Sequence, residues 1–183
     1  MTNLAIKNER SLGADYEQVA QLFRPLFKKI AVSAVEREAR RILPREEIQW
    51  LKAAGFGALR VPVQYGGKGF SQQQLFQLLI ELATADSNIV QALRGHFAFV
   101  EDRLIAHRDQ SQSLWFERFV AGEIVGNAWT EVGGVEIGDV ITRVKQNSKG
   151  KFEVNGEKFY STGTIFAEWI DLFAFDETTD QHV

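Results

Sequence analysis

The chain reads as an α+β protein: an all-α helical region over residues 1–122, then part of an antiparallel β-region over residues 123–183. Three observations predict this. Apolar residues recur at helical spacing as far as Val120, and from Ile124 onward they alternate or run in short blocks. The charge balance changes at the same place. Residues 1–122 hold 16 basic and 13 acidic side chains, whereas residues 123–183 hold 5 and 11. Helices first and strands second implies separate layers, and the boundary is placed near Gly122.

The first helix is expected from Tyr16 to about Arg41, on the stripe Val19, Leu22, Phe23, Leu26, Phe27 and Ile30. Pro25 should kink or interrupt it. Glu36, Arg37, Glu38, Arg40 and Arg41 read as a solvated charged face. A second helix starts near Pro44 and stops at Gly55, with Ile48 and Leu51 inward. Gly66-Gly67-Lys68-Gly69 lacks the spacing of a phosphate loop and reads as a tight interhelical turn. Ser71 with Gln74 forms a capping box, and the run Leu75–Ala83, apolar nearly all round, should be buried between other helices. The next helix is capped by Asp86 or Ser87 and buries Ile89, Leu93, His96, Val100 and Leu104. A short helix covers Ser113–Val120.

Four strand signals follow. These are Ile124–Thr130, Asp139–Gln146, Lys151–Asn155 and Trp169–Phe175. Asn155-Gly156 is the signature of a two-residue hairpin turn.

Composition narrows the function. The 183 residues carry a net charge of −3, so no basic excess exists to neutralise a phosphate backbone and nucleic acid is not expected as a partner. Without cysteine there is no disulfide, thiolate metal site or Cys nucleophile, and the three scattered histidines offer no metal cluster. No apolar run approaches the roughly 18 residues of a membrane span, and the N-terminus lacks a signal-peptide core. A cytoplasmic setting without membrane association is expected.

Three places could carry chemistry. His96 sits on an apolar helix stripe, where a core histidine is the plain reading; Gly95 and Arg94 beside it leave room for a ligand-facing imidazole. Asn127, Trp129 and Thr130 end a strand and suit a flat heterocycle with a polar rim, although Trp and Thr are also good strand formers. Tyr160-Ser161-Thr162-Gly163 offers hydroxyls at another strand end, or simply a polar turn.

Together these segments resemble the acyl-CoA dehydrogenase superfamily. Val61-Pro62-x-x-Tyr65-Gly66-Gly67-x-Gly69 is similar to the loop between its helical regions. Thr130-Glu131 with Gly138-Asp139 is similar to the Thr-Glu-Pro…Gly-Ser-Asp stretch that opens its β-domain. Val154-Asn155-Gly156-Glu157-Lys158 resembles its Asn-Gly hairpin, and Tyr160–Thr162 followed by Ala167-Glu168-Trp169 its flavin-contacting stretch. The resemblance implies a helical domain, a middle β-domain and a C-terminal helical bundle, with a flavin between the last two. It implies that Trp129, Thr130, Tyr160, Ser161 and Thr162 contact the flavin ring.

Val132 stands where the dehydrogenases have Pro, and Gly138-Asp139 lacks their serine. Asn127-Ala128-Trp129-Thr130-Glu131, Tyr160-Ser161-Thr162-Gly163 and a helix histidine look more like the reduced-flavin-dependent monooxygenases acting on dibenzothiophene and alkyl sulfur compounds. That branch takes reduced FMN from a separate reductase. There Asn127 and Ser161 would hold or activate a flavin peroxide, with His96 near a small-molecule substrate. The dehydrogenase alternative would use FAD and an acyl thioester. The resemblance stops after Phe175, so the C-terminal bundle is expected to be absent. The chain would then be a fragment, be completed by another subunit in a homo-oligomer, or serve as an inactive helical interaction module.

Overall fold

The computed structural model describes residues 15–108, 110–133 and 140–183. Gly138-Asp139 lies outside them, as does Gly134. Among the described residues six α-helices come first: α1 (Tyr16–Ala31), α2 (Ala34–Arg40), α3 (Arg45–Ala53), α4 (Gln72–Ala85), α5 (Ser87–Ala106) and α6 (Ser113–Val120). Six short strands follow: β1 (Val125–Ala128), β2 (Arg143–Gln146), β3 (Phe152–Asn155), β4 (Trp169–Leu172), β5 (Phe175–Asp176) and β6 (Gln181–His182). The helical region followed by a partial β-region is as expected. The strand pairing is mixed rather than antiparallel. β1 pairs with β4 in parallel, while a second sheet runs β3-β2-β5-β6 with its central β2–β5 pair parallel.

Local chemistry sets the helix ends. The Asp15 carboxylate accepts the Glu17 N–H to start α1. Pro25 sits inside α1 without interrupting it, on the exposed side, where the carbonyl it leaves unpaired can meet water. The expected single helix to Arg41 instead breaks at Val32-Ser33. Leu22 faces solvent rather than the core. The capping box forms, with Ser71 Oγ accepting from Gln74 N and Gln74 Oε1 from Ser71 N. Only one side of α4 is covered, however. Leu75, Leu78 and Leu82 are buried while Phe76 and Ile80 are more than 60% exposed, which corrects the expectation of an all-round buried helix.

The core is aromatic. Phe23, Phe27, Phe56 and Phe97 meet in edge-on contacts with ring centroids 5.1–6.0 Å apart. Val61, Phe99, Val100, Phe116, Phe119 and Val125 form a second cluster between α5, α6 and β1.

Arg37 belongs to the interior, not to a solvated face. Its guanidinium donates to Glu47 Oε1 at 2.7 Å, Asp86 Oδ2 at 2.8 Å, Ile30 O at 2.9 Å and Ser33 Oγ at 2.6 Å. Asp86 in turn caps α5 through Asn88 N. One charge network therefore ties together α1, α2, α3 and the α4–α5 junction.

The β2–β3 hairpin closes through Asn147–Gly150, where Asn147 Oδ1 accepts the N–H groups of Lys149 and Lys151. Asn155-Gly156 is not its turn. It lies at the far end of β3, where a Cβ on Gly156 would come within 2.7 Å of Thr142 Cα, so close packing explains that glycine. The chain then crosses over to bridge Phe159 with Thr130.

Candidate functional site

The end of β1 and the segment after Phe159 lie side by side. Asn127 N donates to Thr162 O at 3.3 Å, Thr164 Oγ1 donates to Asn127 O at 3.3 Å, and Phe159 N donates to Thr130 O at 2.8 Å. These bonds bring Asn127, Trp129, Thr130, Tyr160, Ser161 and Thr162 into one region. Helix α5 backs it, and two glycines allow the close approach. A Cβ on Gly95 would meet Asn127 Oδ1 at 3.3 Å. Gly163 has φ +78°, and a Cβ there would lie 2.1 Å from Ala92 O.

The region is polar and partly open. Thr130, Tyr160 and Ser161 are exposed, and Thr162 is half-buried. Tyr160 holds φ +54°, an uncommon backbone state for a bulky residue, supported by Thr162 N and Thr162 Oγ1 donating to Tyr160 O. Trp129 is 51% exposed, yet its Nε1–H donates to Asp171 Oδ2 at 2.8 Å and its carbonyl accepts from Lys158 Nζ at 3.3 Å. The Asn127 Oδ1 atom is buried, and among the described residues it has no hydrogen-bond partner. A buried acceptor without a partner is costly. Together with an exposed indole and hydroxyls on the neighbouring segment, it fits a flat heterocycle with a polar edge.

Glu131 follows directly. Burial alone would raise its carboxyl, but the Ile141 N–H, Lys158, and the hydroxyl and N–H of Thr142 reverse this and hold it at about 2. The Glu131–Lys158 pair, 2.7 Å apart, has both side chains 6% exposed. The site rim thus contains an ion pair with no net charge.

His96 sits behind β1, not on the open side. It is fully buried, its Nε2 lies 2.9 Å from Gly57 O, and its Nδ1 accepts from Val125 N at 3.3 Å. That pairing makes Nδ1 the acceptor and Nε2–H the donor. Desolvation pushes its pKa down to about 4, against a smaller upward pull from the Gly57 carbonyl. The imidazole is neutral, wedged against Phe97 and Phe119, and neither ring nitrogen is free to meet a substrate.

Sequence reasoning missed three residues here. Asp171 is the lone acid in the apolar run from Trp169 to Phe175, and that isolation was a usable signal. Lys158 and Glu131 are far apart in sequence, and only the strand crossover joins them. No group of three or more potential metal ligands occurs among the described residues, and no helix there is long and apolar enough to cross a membrane.

Comparison with known proteins follows the same lines. The model of the acyl-CoA dehydrogenase N-terminal domain matches residues 14–123. A probable FMNH2-dependent monooxygenase, SfnC of Pseudomonas putida, is 31% identical over 156 residues, covering 84% of this chain and 38% of that protein. A dibenzothiophene monooxygenase of Rhodococcus erythropolis is 27% identical over 163 residues, covering 87% of this chain and 38% of its own length. The structure of methanesulfinate monooxygenase MsuC from Pseudomonas fluorescens superposes with a TM-score of 0.73 at 28% identity, covering 89% of this chain and 41% of that one. The chain thus spans about two fifths of the length of these relatives.

Proposed function

The chain belongs to the acyl-CoA dehydrogenase family through its N-terminal domain, and on that premise we propose that it forms the N-terminal part of a flavin-dependent monooxygenase. The enzyme takes reduced FMN from a separate flavin reductase and oxygenates a small organic substrate of the sulfur-containing kind. The carrying observation is the buried, unpartnered Asn127 Oδ1 beside the exposed Trp129, Thr130, Tyr160 and Ser161. The likeness to named FMNH2-dependent and sulfur-compound monooxygenases supports the choice of cofactor and substrate class.

Reduced FMN, when bound, supplies the electrons for dioxygen activation. The protein's part is to bind, orient and exclude water. Trp129 offers an aromatic wall. The hydroxyls of Thr130, Tyr160, Ser161 and Thr162 and the Asn127 amide would hold the polar edge of the ring. Glu131 is neutralised by Lys158, so no unpaired charge stands at the rim. His96 acts as a positioning residue, holding β1 to the Gly57 turn and so fixing Asn127. Exposed apolar side chains on the β-region, among them Phe152, Val154 and Ile170, support assembly into a homo-oligomer.

The test is turnover by the full-length protein that carries this chain, supplied with FMN, a flavin reductase, NADH and an alkyl or aromatic sulfur compound. Incorporation of one oxygen atom from labelled dioxygen supports the proposal. Bleaching of bound FAD by acyl-CoA thioesters, with no oxygen incorporation, would establish the dehydrogenase alternative instead.

A second reading has its own observation. Phe76 flanks an apolar cavity of about 380 Å³ between α4 and α5, with Ile80 exposed on the same helix. This favours a helical module with an interaction role. Light scattering with a flavin absorbance scan separates the two: a flavin-free oligomer supports the module, and a flavin-bound protein with turnover removes it.

A further inference from the structure

Trp129 is held at two points although half of its surface is exposed. Asp171 accepts its indole N–H, and Lys158, itself paired with Glu131, donates to its carbonyl. Asp171 is the residue paired with Asn127 in the parallel β1–β4 register, so it stands within the row that backs the candidate site. Its half-buried carboxylate faces Trp129 from β1 and feels Asp102 and Arg103 from α5. An indole left in water needs no such partner. Taking a carboxylate partly out of water for one neutral donor gains little for folding. What the contact does achieve is restraint of a large aromatic side chain at the site's edge.

We infer that Asp171 is a positioning residue that fixes the plane of the Trp129 indole for stacking against a bound flavin ring. The inference rests on the flavin reading above and deepens it. Burial raises the Asp171 carboxyl, with Asp102 adding to the rise and the Trp129 N–H and Arg103 opposing it. The restraint should therefore relax as Asp171 protonates.

The test records indole N–H resonances of the full-length protein that carries this chain by proton–nitrogen NMR, with the Trp129 signal assigned from Trp129→Phe. Asp171→Ala should move and broaden that signal, while Asp171→Asn, which keeps an acceptor oxygen, should largely restore it. In the wild type the signal should titrate above the ordinary Asp range. Asp102→Asn should lower that midpoint, and Asp171→Asn should abolish the titration. FMN affinity, read by flavin fluorescence, should fall about tenfold in Asp171→Ala and less than about twofold in Asp171→Asn, the scale of lost pre-organisation. A Trp129 signal indifferent to Asp171→Ala would overturn the inference. So would unchanged FMN affinity in that variant when the wild type binds FMN. Failure of the wild type to bind FMN would overturn the flavin reading alone, because the resonance shift would still establish the hold of Asp171 on Trp129.

Discussion

Replacing His96 with Leu tests the buried-imidazole account most sharply. The leucine fills similar volume among Phe97, Phe119 and Ile124, but it bonds neither the Gly57 carbonyl nor the Val125 N–H. Two buried backbone groups lose their partner, each costing about 1–3 kcal/mol, so a loss of roughly 2–6 kcal/mol is expected at pH 8. The pH dependence adds a second signature. Folded His96 has a pKa near 4 against an ordinary value of 6.5. Between those values the unfolded chain binds a proton that the folded chain does not, so stability rises with pH across that window. The shift of about 2.5 units corresponds to roughly 3 kcal/mol, fully present above pH 6.5 and lost by pH 4. Urea unfolding from pH 4 to pH 8 reads both effects. The difference between wild type and His96→Leu should widen as pH rises through this window and then level off. A constant difference across the window, or an imidazole titrating at its ordinary value by NMR, would mean that His96 is not held neutral by burial.

Three further expectations follow from the same geometry. Arg37→Met strands the carboxylates of Glu47 and Asp86 in the interior, and urea denaturation should show a loss of about 3–5 kcal/mol; a loss under about 1 kcal/mol would mean the network is dispensable. Gly163→Ala places a Cβ against Ala92 O at a positive φ, and should cost more than about 1 kcal/mol in thermal unfolding and displace the Tyr160–Thr162 segment from Asn127. Glu131→Gln should lower stability at pH 7. Because Glu131 is held near 2, its stabilisation is present above its ordinary value and lost as pH falls toward 2, so the deficit should shrink over that acidic range.

The helices were legible because each carries its own local signal. The Ser71–Gln74 box, the Asp86 cap and the Ile89–Val100 stripe all stand where their side-chain chemistry demands. Exposure was less legible. Leu75–Ala83 gives no periodic clue to which side is covered, and Phe76 and Ile80 stay open because no described element packs on them. Arg37 looked like one surface charge among five, since its partners Glu47 and Asp86 come from other helices. The hairpin turn was misplaced for a related reason. Asn155-Gly156 has the stronger local signature, but the Asn147 side chain closes a turn upstream and Gly156 is needed where the chain packs on Thr142. Parallel pairing of β1 with β4 joins segments more than 40 residues apart, and nothing local encodes it. The Asn127–Thr130 and Tyr160–Thr162 segments could each be picked out from residue type; only the crossover through Phe159 puts them together.

On the proposed reading these two segments form one wall of a flavin site. Equilibrium titration of the full-length protein with FMN under reducing, anaerobic conditions tests it most directly, comparing wild type with Asn127→Leu and Trp129→Ala. Saturable binding is expected, weakened about tenfold or more in either variant while the fold, read by circular dichroism, is retained. Binding of equal strength in all three proteins, or no binding by the wild type, would contradict it.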